Sequence, residues 1–223
     1  IGNADPVIDS LFVATSGNEG DTFAFEVSAI DPGGDALTYA WDFGDGEVVE
    51  GDDVTMPEHV FVDDGTYGVT VTVTDDGGGQ ASREFDVRVR NVPPTIVTEP
   101  ELRAVLDQEY QYVADATDPG ADELGWVLLE GPEGMTLTQS TLAWTPSFDQ
   151  VIDDRPYPVR LEVCDDDGGC DLQSWVLFTD FTDMDEDGVP DNCEEEYGLD
   201  PNDPGDADLD PDEDGLTNRE ECL

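Results

Sequence analysis

"YGVTVTVTDDGGG", residues 67–79, returns as "YPVRLEVCDDDGG" at residues 157–169. In the first copy Tyr67, Val69, Val71 and Val73 share one face and threonines fill the other. That is the period-2 pattern of a half-buried strand running into an Asp-Gly turn. A second pair, "DPGGDALTY" at 31–39 and "DPGADELGW" at 118–126, repeats at nearly the same spacing. One strand-rich unit is therefore written twice.

Outward from this stretch the same alternation continues. "TFAFEVSAI" puts Phe23, Phe25, Val27 and Ala29 on one face, and "LTYAWDF" does so with Leu37, Tyr39, Trp41 and Phe43. "REFDVRVR" adds Phe85, Val87 and Val89. Short alternating runs split by Gly/Asp turns predict an antiparallel Ig-like sandwich, and the repeat predicts two in tandem. "NVPPT" (91–95) reads as the joint, stiffened by consecutive prolines. The expected domains are 1–90, 91–179 and a compositionally distinct 180–223. The expected fold class is all-β: two tandem Ig-like antiparallel β-sandwiches plus a C-terminal segment of acidic loops, read below as calcium loops from the spacing of their acids, with short helical turns.

The 223 residues carry 57 acids against 7 bases, a formal charge of −50. Every base is an arginine. Nucleic acid needs Lys and Arg to replace its counterions, so it is a poor partner, and an anionic membrane surface is equally disfavoured. No apolar run approaches the ~20 residues of a bilayer span. A compact body with this charge repels itself and needs high salt or bound cations to relax. Dedicated metal sites and a lysine-free surface suited to a saline habitat are the two competing causes. The chain starts at Ile1 and stops at Leu223 in what reads as an unfinished helix, as expected of a piece of a longer protein.

The spacing of the acids bears on that choice. In the window 183–194, Asp183, Asp185, Asp187, Gly188, Val189, Asp191 and Glu194 occupy positions 1, 3, 5, 6, 7, 9 and 12. Asp210, Asp212, Asp214, Gly215, Leu216, Asn218 and Glu221 fill the same positions later on. Calcium imposes this order. It takes six to eight oxygens, and the loop must turn sharply midway so that later donors face the same point. Carboxylates at 1, 3 and 5, a carbonyl from Val189 or Leu216, a donor at 9 and a bidentate Glu at 12 would complete each cage. A solvated acidic tail is the competing reading, but it gives no reason for a glycine at position six. Between the loops, Asp200, Asn202, Asp203, Asp206 and Asp208 offer further oxygens.

Two more acidic groupings follow from the sandwich expectation, because the chain start, the B–C loop and the F–G loop of an Ig-like fold meet at one pole. In the first repeat these are Asn3, Asp5, Asp31, Asp35, Asp75 and Asp76; in the second, Asn91, Asp118, Asp122, Asp165 and Asp166. Both are candidate calcium sites, against the alternative of ordinary Asp-Gly turns. Four cysteines allow three pairings, and an even count in an acidic, loop-rich chain favours disulfides in an oxidising compartment. Cys164 and Cys170 flank one turn with both side chains facing outward. Cys193 and Cys222 would tie together the turns that leave the two acidic loops.

Residues 37–90, with "YAWDFGDG", "EHVF" and "DDGTYGVTVTVTDDGG", resemble a polycystic-kidney-disease (PKD) domain. Residues 92–179, with "GPEGMTL", "LAWTPS" and "YPVRLEVCDDDGG", resemble bacterial Ig-like and dystroglycan-type cadherin-like repeats. The loop-then-turn arrangement of 183–223 is similar to thrombospondin type 3 and dockerin-like repeats rather than to a standard EF-hand. These resemblances imply extracellular spacer or adhesion modules, and they alone suggest a prokaryotic cell surface. They also imply a structural role for His59, the only histidine.

Nothing catalytic stands out. No HExxH, GxSxG or GxxxxGK motif is present, and without lysine there is no Schiff-base or lysine isopeptide chemistry. With 57 acids, a pair of carboxylates carries no information about glycoside hydrolysis. The expectation is a non-enzymatic, calcium-rigidified extracellular rod, a stalk or fibre segment whose partners are calcium ions and either further copies of itself or a cell-surface ligand. The alternatives are an accessory spacer of a secreted hydrolase and a halophilic surface-layer fragment without specific metal sites.

Overall fold

The computed structural model describes residues 3–120, 122–152 and 155–222; Ile1 and Leu223, the two ends discussed above, lie outside them. Two compact units result. The first comprises Ile1–Thr95 together with Thr117–Leu124 and Cys164–Cys170; the second comprises Ile96–Ala116, Gly125–Val163 and Asp171–Leu223.

In the first unit the strands are β1 (Val7–Val13), β2 (Ser16–Asn18), β3 (Thr22–Ile30), β4 (Leu37–Asp42), β5 (Val48–Gly51), β6 (Glu58–Val60), β7 (Gly65–Asp75) and β8 (Gln80–Arg90). They form a sheet ordered β1-β3-β6 and a five-stranded sheet ordered β2-β8-β7-β4-β5. Alternation put the apolar residues where the core needed them. Trp41, Phe43, Val69, Val71, Val73 and Val87 are all fully buried, with Phe23, Phe25 and Val27 against them. Trp41 satisfies its indole N–H on the Val54 carbonyl at 3.0 Å, as a buried indole must. His59 stacks on Phe43 with ring centroids 4.0 Å apart and meets Asp45 at 2.6 Å, a packed position within the core.

The chain continues through β9 (Thr95–Ile96), β10 (Arg103–Val105), β11 (Tyr110–Val113), β12 (Ala116–Thr117), β13 (Gly125–Glu130), β14 (Thr136–Thr138), β15 (Thr141–Trp144), β16 (Tyr157–Cys164) and β17 (Cys170–Asp180). Sheets ordered β10-β17-β16-β13 and β11-β15-β14 enclose a second core of Leu142, Trp144, Val159, Leu161 and Leu177, with Tyr110 and Tyr112 beside them.

Two details differ from a purely antiparallel sandwich with helical turns only at its end. The pairs β2/β8 and β10/β17 are parallel. Each adds a three-residue strand at a sheet edge, where a chain entering from the side pairs in whichever direction it already runs. A short helix α1 (Phe148–Ile152) also precedes β16; Gln150 Oε1 accepts from the Ser147 N–H at 3.0 Å and from its hydroxyl at 3.2 Å. Five residues are too few for a helical period to register in the sequence.

Beyond β17 lie α2 (Asp191–Tyr197) and α3 (Asn218–Cys222), separated by turns. α2 ends at Gly198, whose φ of 78° is the left-handed conformation of a helix C-terminus. The buried apolar residues here are Val189, Cys193, Ala207 and Cys222. Both disulfides form as expected, Cys164–Cys170 across the β16–β17 turn and Cys193–Cys222 between α2 and α3.

Candidate metal centres

The two acidic loops of the tail share one backbone design. In the first, Gly188 N–H donates to Asp183 Oδ2 at 2.8 Å, Val189 N–H to Asp187 Oδ1 at 2.8 Å, and Asp187 N–H to Asp185 Oδ1 at 3.2 Å. In the second, Gly215 N–H donates to Asp210 Oδ2 at 3.1 Å, Leu216 N–H to Asp214 Oδ1 at 2.9 Å, and Asp214 N–H to Asp212 Oδ1 at 3.4 Å. Even the unusual dihedrals repeat: Glu186 and Glu213 have φ of 63° and 60°, Gly188 and Gly215 of 93° and 98°. Each loop thus turns at position six by using the conformation that glycine adopts without steric penalty.

Asp183 accepts backbone N–H groups on both of its oxygens, from Asp187 at 3.1 Å and Gly188 at 2.8 Å, whereas Asp185, Asp187 and Asp210 each use one oxygen in this way. Asp185 Oδ2, Asp187 Oδ2 and Asp210 Oδ1 are buried without a hydrogen-bond partner. The strongest case is Glu194. It is 0 % exposed, and neither of its carboxylate oxygens has a partner. A buried carboxylate with no partner carries a desolvation penalty of several kcal/mol. Burial, then the charges of Asp185, Asp187, Asp206 and Asp191, push its carboxyl up to about 7. Glu221 is raised in the same way, by burial and then by Asp212, Asp214 and Asp210. All of these donors are oxygens, the set a hard divalent cation prefers.

The intervening residues divide. Asp206 Oδ1 is a further buried oxygen without a partner, and its charge is among those acting on Glu194, so a residue from between the loops adds to the negative charge around that carboxylate. Asp200 and Asn202 engage one another instead, at 3.2 Å. Asp208, expected as an oxygen donor, pairs with Arg219 at 3.3 Å. Arg219 also donates to the Asp187 carbonyl at 2.5 Å, so the tail's sole base fastens one loop to the other, a role its sequence position did not announce. Asn218 donates its amide to the Asp206 carbonyl at 2.7 Å.

The two poles of the repeated unit also show one construction. Asn3 Nδ2 donates to Asp75 Oδ1 and Oδ2 at 3.0 and 2.9 Å, and Gly79 N–H to Asp75 Oδ1 at 2.8 Å. Asn91 Nδ2 donates to Asp165 Oδ2 at 3.0 Å, and Gly169 N–H to Asp165 Oδ1 at 2.7 Å. Burial raises both aspartates, but the amide and the turn N–H groups outweigh it and hold each below its ordinary range. Around Asp75 lie Asp5, which with it crowds Gly79, and Asp31, whose Oδ2 is buried and unpartnered. Asp35 is raised by burial and then by Asp76, Asp31 and Asp75.

Around Asp165, Asp118 and Asp122 each keep a buried Oδ2 without a partner, while Asp166 accepts from the Glu123 N–H at 3.0 Å. Burial, then the charges of Glu19, Asp118, Asp167 and Asp166, push Asp122 up to about 6. Glu19, Asp63, Asp64 and Asp167 were not expected in this grouping. No local pattern marks them, because strand pairing alone brings their loops to Asp122.

These shifts set a pH dependence for the metal-free protein. Glu194 has a folded pKa of about 7 against an ordinary 4.5, so between these values the folded state holds a proton that the unfolded chain lacks. Stability then falls as pH rises through that window and is highest below it. In chelator, the tail's melting temperature should be higher near pH 5 than near pH 8. Glu194→Gln should flatten that difference, as thermal unfolding followed by amide exchange can check.

The fold and its acidic loops define a class: tandem Ig-like β-sandwiches followed by a loop-and-turn segment. Within it, residues 3–89 match the model of the PKD domain family. Among curated relatives, collagenase ColA of Bacillus cereus is 30% identical over 115 residues, which is 46% of this chain and 12% of that enzyme. The chain thus spans about an eighth of that relative. Among solved structures, the PKD domain of an M14-like peptidase from a Thermoplasmatales archaeon is 25% identical, covering 40% of this chain and 98% of that one (TM-score 0.35). The PKD1 domain of the Vibrio cholerae metalloprotease PrtV is 28% identical, covering 38% and 96% (TM-score 0.32). Among the described residues no helix is long and apolar enough to cross a membrane.

Proposed function

We propose that this chain is a calcium-dependent, non-catalytic spacer of an exported protein. In this reading the second sandwich is a bacterial Ig-like or cadherin-like repeat and the tail a thrombospondin type 3 or dockerin-like calcium segment. The observation that carries it is Glu194, fully buried with both oxygens unpartnered among Asp185, Asp187 and Asp206. A fold does not bury such a group without compensation, and a divalent cation supplies it. Asp183, Asp185, Asp187, the Val189 carbonyl, Asp191 and Glu194 would hold one ion; Asp210, Asp212, Asp214, the Leu216 carbonyl, Asn218 and Glu221 would hold another. The ion would contribute charge neutralisation and a cross-link between positions distant along the loop.

Of the three settings considered from sequence, an accessory segment of a secreted hydrolase, a cell-surface stalk or fibre and a halophilic surface-layer fragment, the likeness to a collagenase favours the first. Titration calorimetry of the full chain at low salt tests the calcium reading. Calcium should give saturable heat that Glu194→Gln reduces at least tenfold in apparent affinity for one class of site, and magnesium should compete weakly. Absence of heat with the wild-type chain, or a Glu194→Gln curve that overlays it, would sink the reading.

A further inference from the structure

Glu19 lies in the turn between β2 and β3 and is 1% exposed. Its Oε1 accepts from the Val92 N–H at 2.6 Å, whereas Oε2 is buried with no partner. Burial and then the charges of Asp118, Asp64 and Asp165 hold it above the usual carboxylate range, partly offset by that N–H. Its surroundings, all within the first compact unit, supply more negative charge. Single oxygens of Glu19, Asp63 and Asp122 lie within 4.8 Å of one another, and so do those of Asp118, Asp122 and Asp165. Oxygens on one calcium stand at most about 5 Å apart, twice the bond length of ~2.3–2.6 Å, so each triad has the span of one coordination shell.

Three features point to a ligand rather than to a chance gathering of acids. Glu19 Oε2, Asp118 Oδ2, Asp122 Oδ2 and Asn91 Oδ1 are all buried without a partner. Asn91 has turned its amide to Asp165, which leaves its carbonyl oxygen, a good calcium donor, among those four. Residue 120 is a glycine where a Cβ would stand 2.8 Å from Asp122 Oδ2 and 3.1 Å from Glu19 Cδ, so this approach of the carboxylates depends on a missing side chain. None of the ion pairs among the described residues reaches the cluster.

We infer that Glu19 is a metal ligand in a two-cation calcium site, with Asp122 shared between the ions. One ion is held by Asp118, Asp122, Asp165 and the Asn91 carbonyl oxygen, the other by Glu19, Asp63 and Asp122. A carboxylate with two oxygens can serve both. The ions fasten Asp118, Asp122 and Asp165 to the β2–β3 turn. The inference takes only its choice of cation from the proposed function, and its ligands are separate from those of the tail.

Native mass spectrometry of the full chain in calcium, with melting in calcium and in chelator, tests it. Glu19→Gln should lose one ion and Asp122→Asn two, while Glu194→Gln keeps both and loses one from the tail. Glu19→Gln should also change rank: it should melt above wild type in chelator, where it removes a buried uncompensated charge, and below wild type in calcium. A full ion count in Glu19→Gln, or an equal drop in melting temperature under both conditions, overturns the inference and leaves the tail sites standing. Loss of ions from Glu19→Gln and Asp122→Asn with none from Glu194→Gln supports it and counts against the tail. If Glu19→Gln does not fold in chelator, the ion count of Asp122→Asn decides.

Discussion

Removing calcium from the full chain should strip amide-exchange protection from residues 182–222 while the long hairpins β7–β8 and β16–β17 keep theirs. Among the described residues the tail's buried cluster is Val189, Cys193, Ala207 and Cys222, with Pro190 buried next to Val189 in sequence, far too little to hold a segment of this length. Its helices have seven and five residues, well short of the ~12–15 at which an isolated helix becomes marginal. Against this stand 19 acids between residues 180 and 223, with Arg219 the single base. A ligand at a thousand times its Kd adds about 4 kcal/mol per site, so two filled loops would contribute about 8 kcal/mol. That exceeds anything the small core can supply. Hydrogen exchange in calcium and in chelator reads the difference directly, and a tail equally protected in both would end the calcium account. The sandwiches, with their own aromatic and aliphatic cores, should lose far less.

The second large effect is expected from the Cys193–Cys222 bridge. It joins residues 29 apart in sequence, and closing a loop of ~30 residues restricts the unfolded chain by about 3.5 kcal/mol in the chain-entropy treatment. The bridge also lies beside the two acidic loops, since Cys193 precedes Glu194 and Cys222 follows Glu221. Replacing both cysteines by serine should therefore weaken calcium binding by the tail on the order of 100-fold, because the ions would then have to order the segment unaided. The same change at Cys164 and Cys170 should leave tail binding untouched. That bridge spans only six positions, across a turn whose strands are already paired. Calorimetry on the two double variants separates these outcomes, and tail affinity within twofold of wild type in the Cys193/Cys222 variant would refute the argument.

The contrast between loops and strands explains what could be read from the sequence. Val69, Val71 and Val73 were assignable to a core because a strand alternates every residue, and the pattern needs no knowledge of the partner strand. The backbone turns of the two acidic loops were legible for a similar reason: a twelve-residue loop is built from neighbours. Asp208 shows the limit. It offered an oxygen by composition, but Arg219, eleven residues away, took it as an ion-pair partner. α1 escaped because five residues contain barely more than one helical turn.

Local spacing was enough to assign the strand faces, the repeated unit and the order of acids and glycine in each acidic loop, since all of these depend on a short stretch of chain. Only the packing of distant segments brings Glu19 to Asp63 and Asp122, sets the charge of Asp206 against Glu194, and lets Arg219 bridge two loops. The physical reason is that a side chain's position along a strand follows from local alternation. Which loop tips converge depends on how strands far apart in the chain pair and stack, and local spacing carries no record of that.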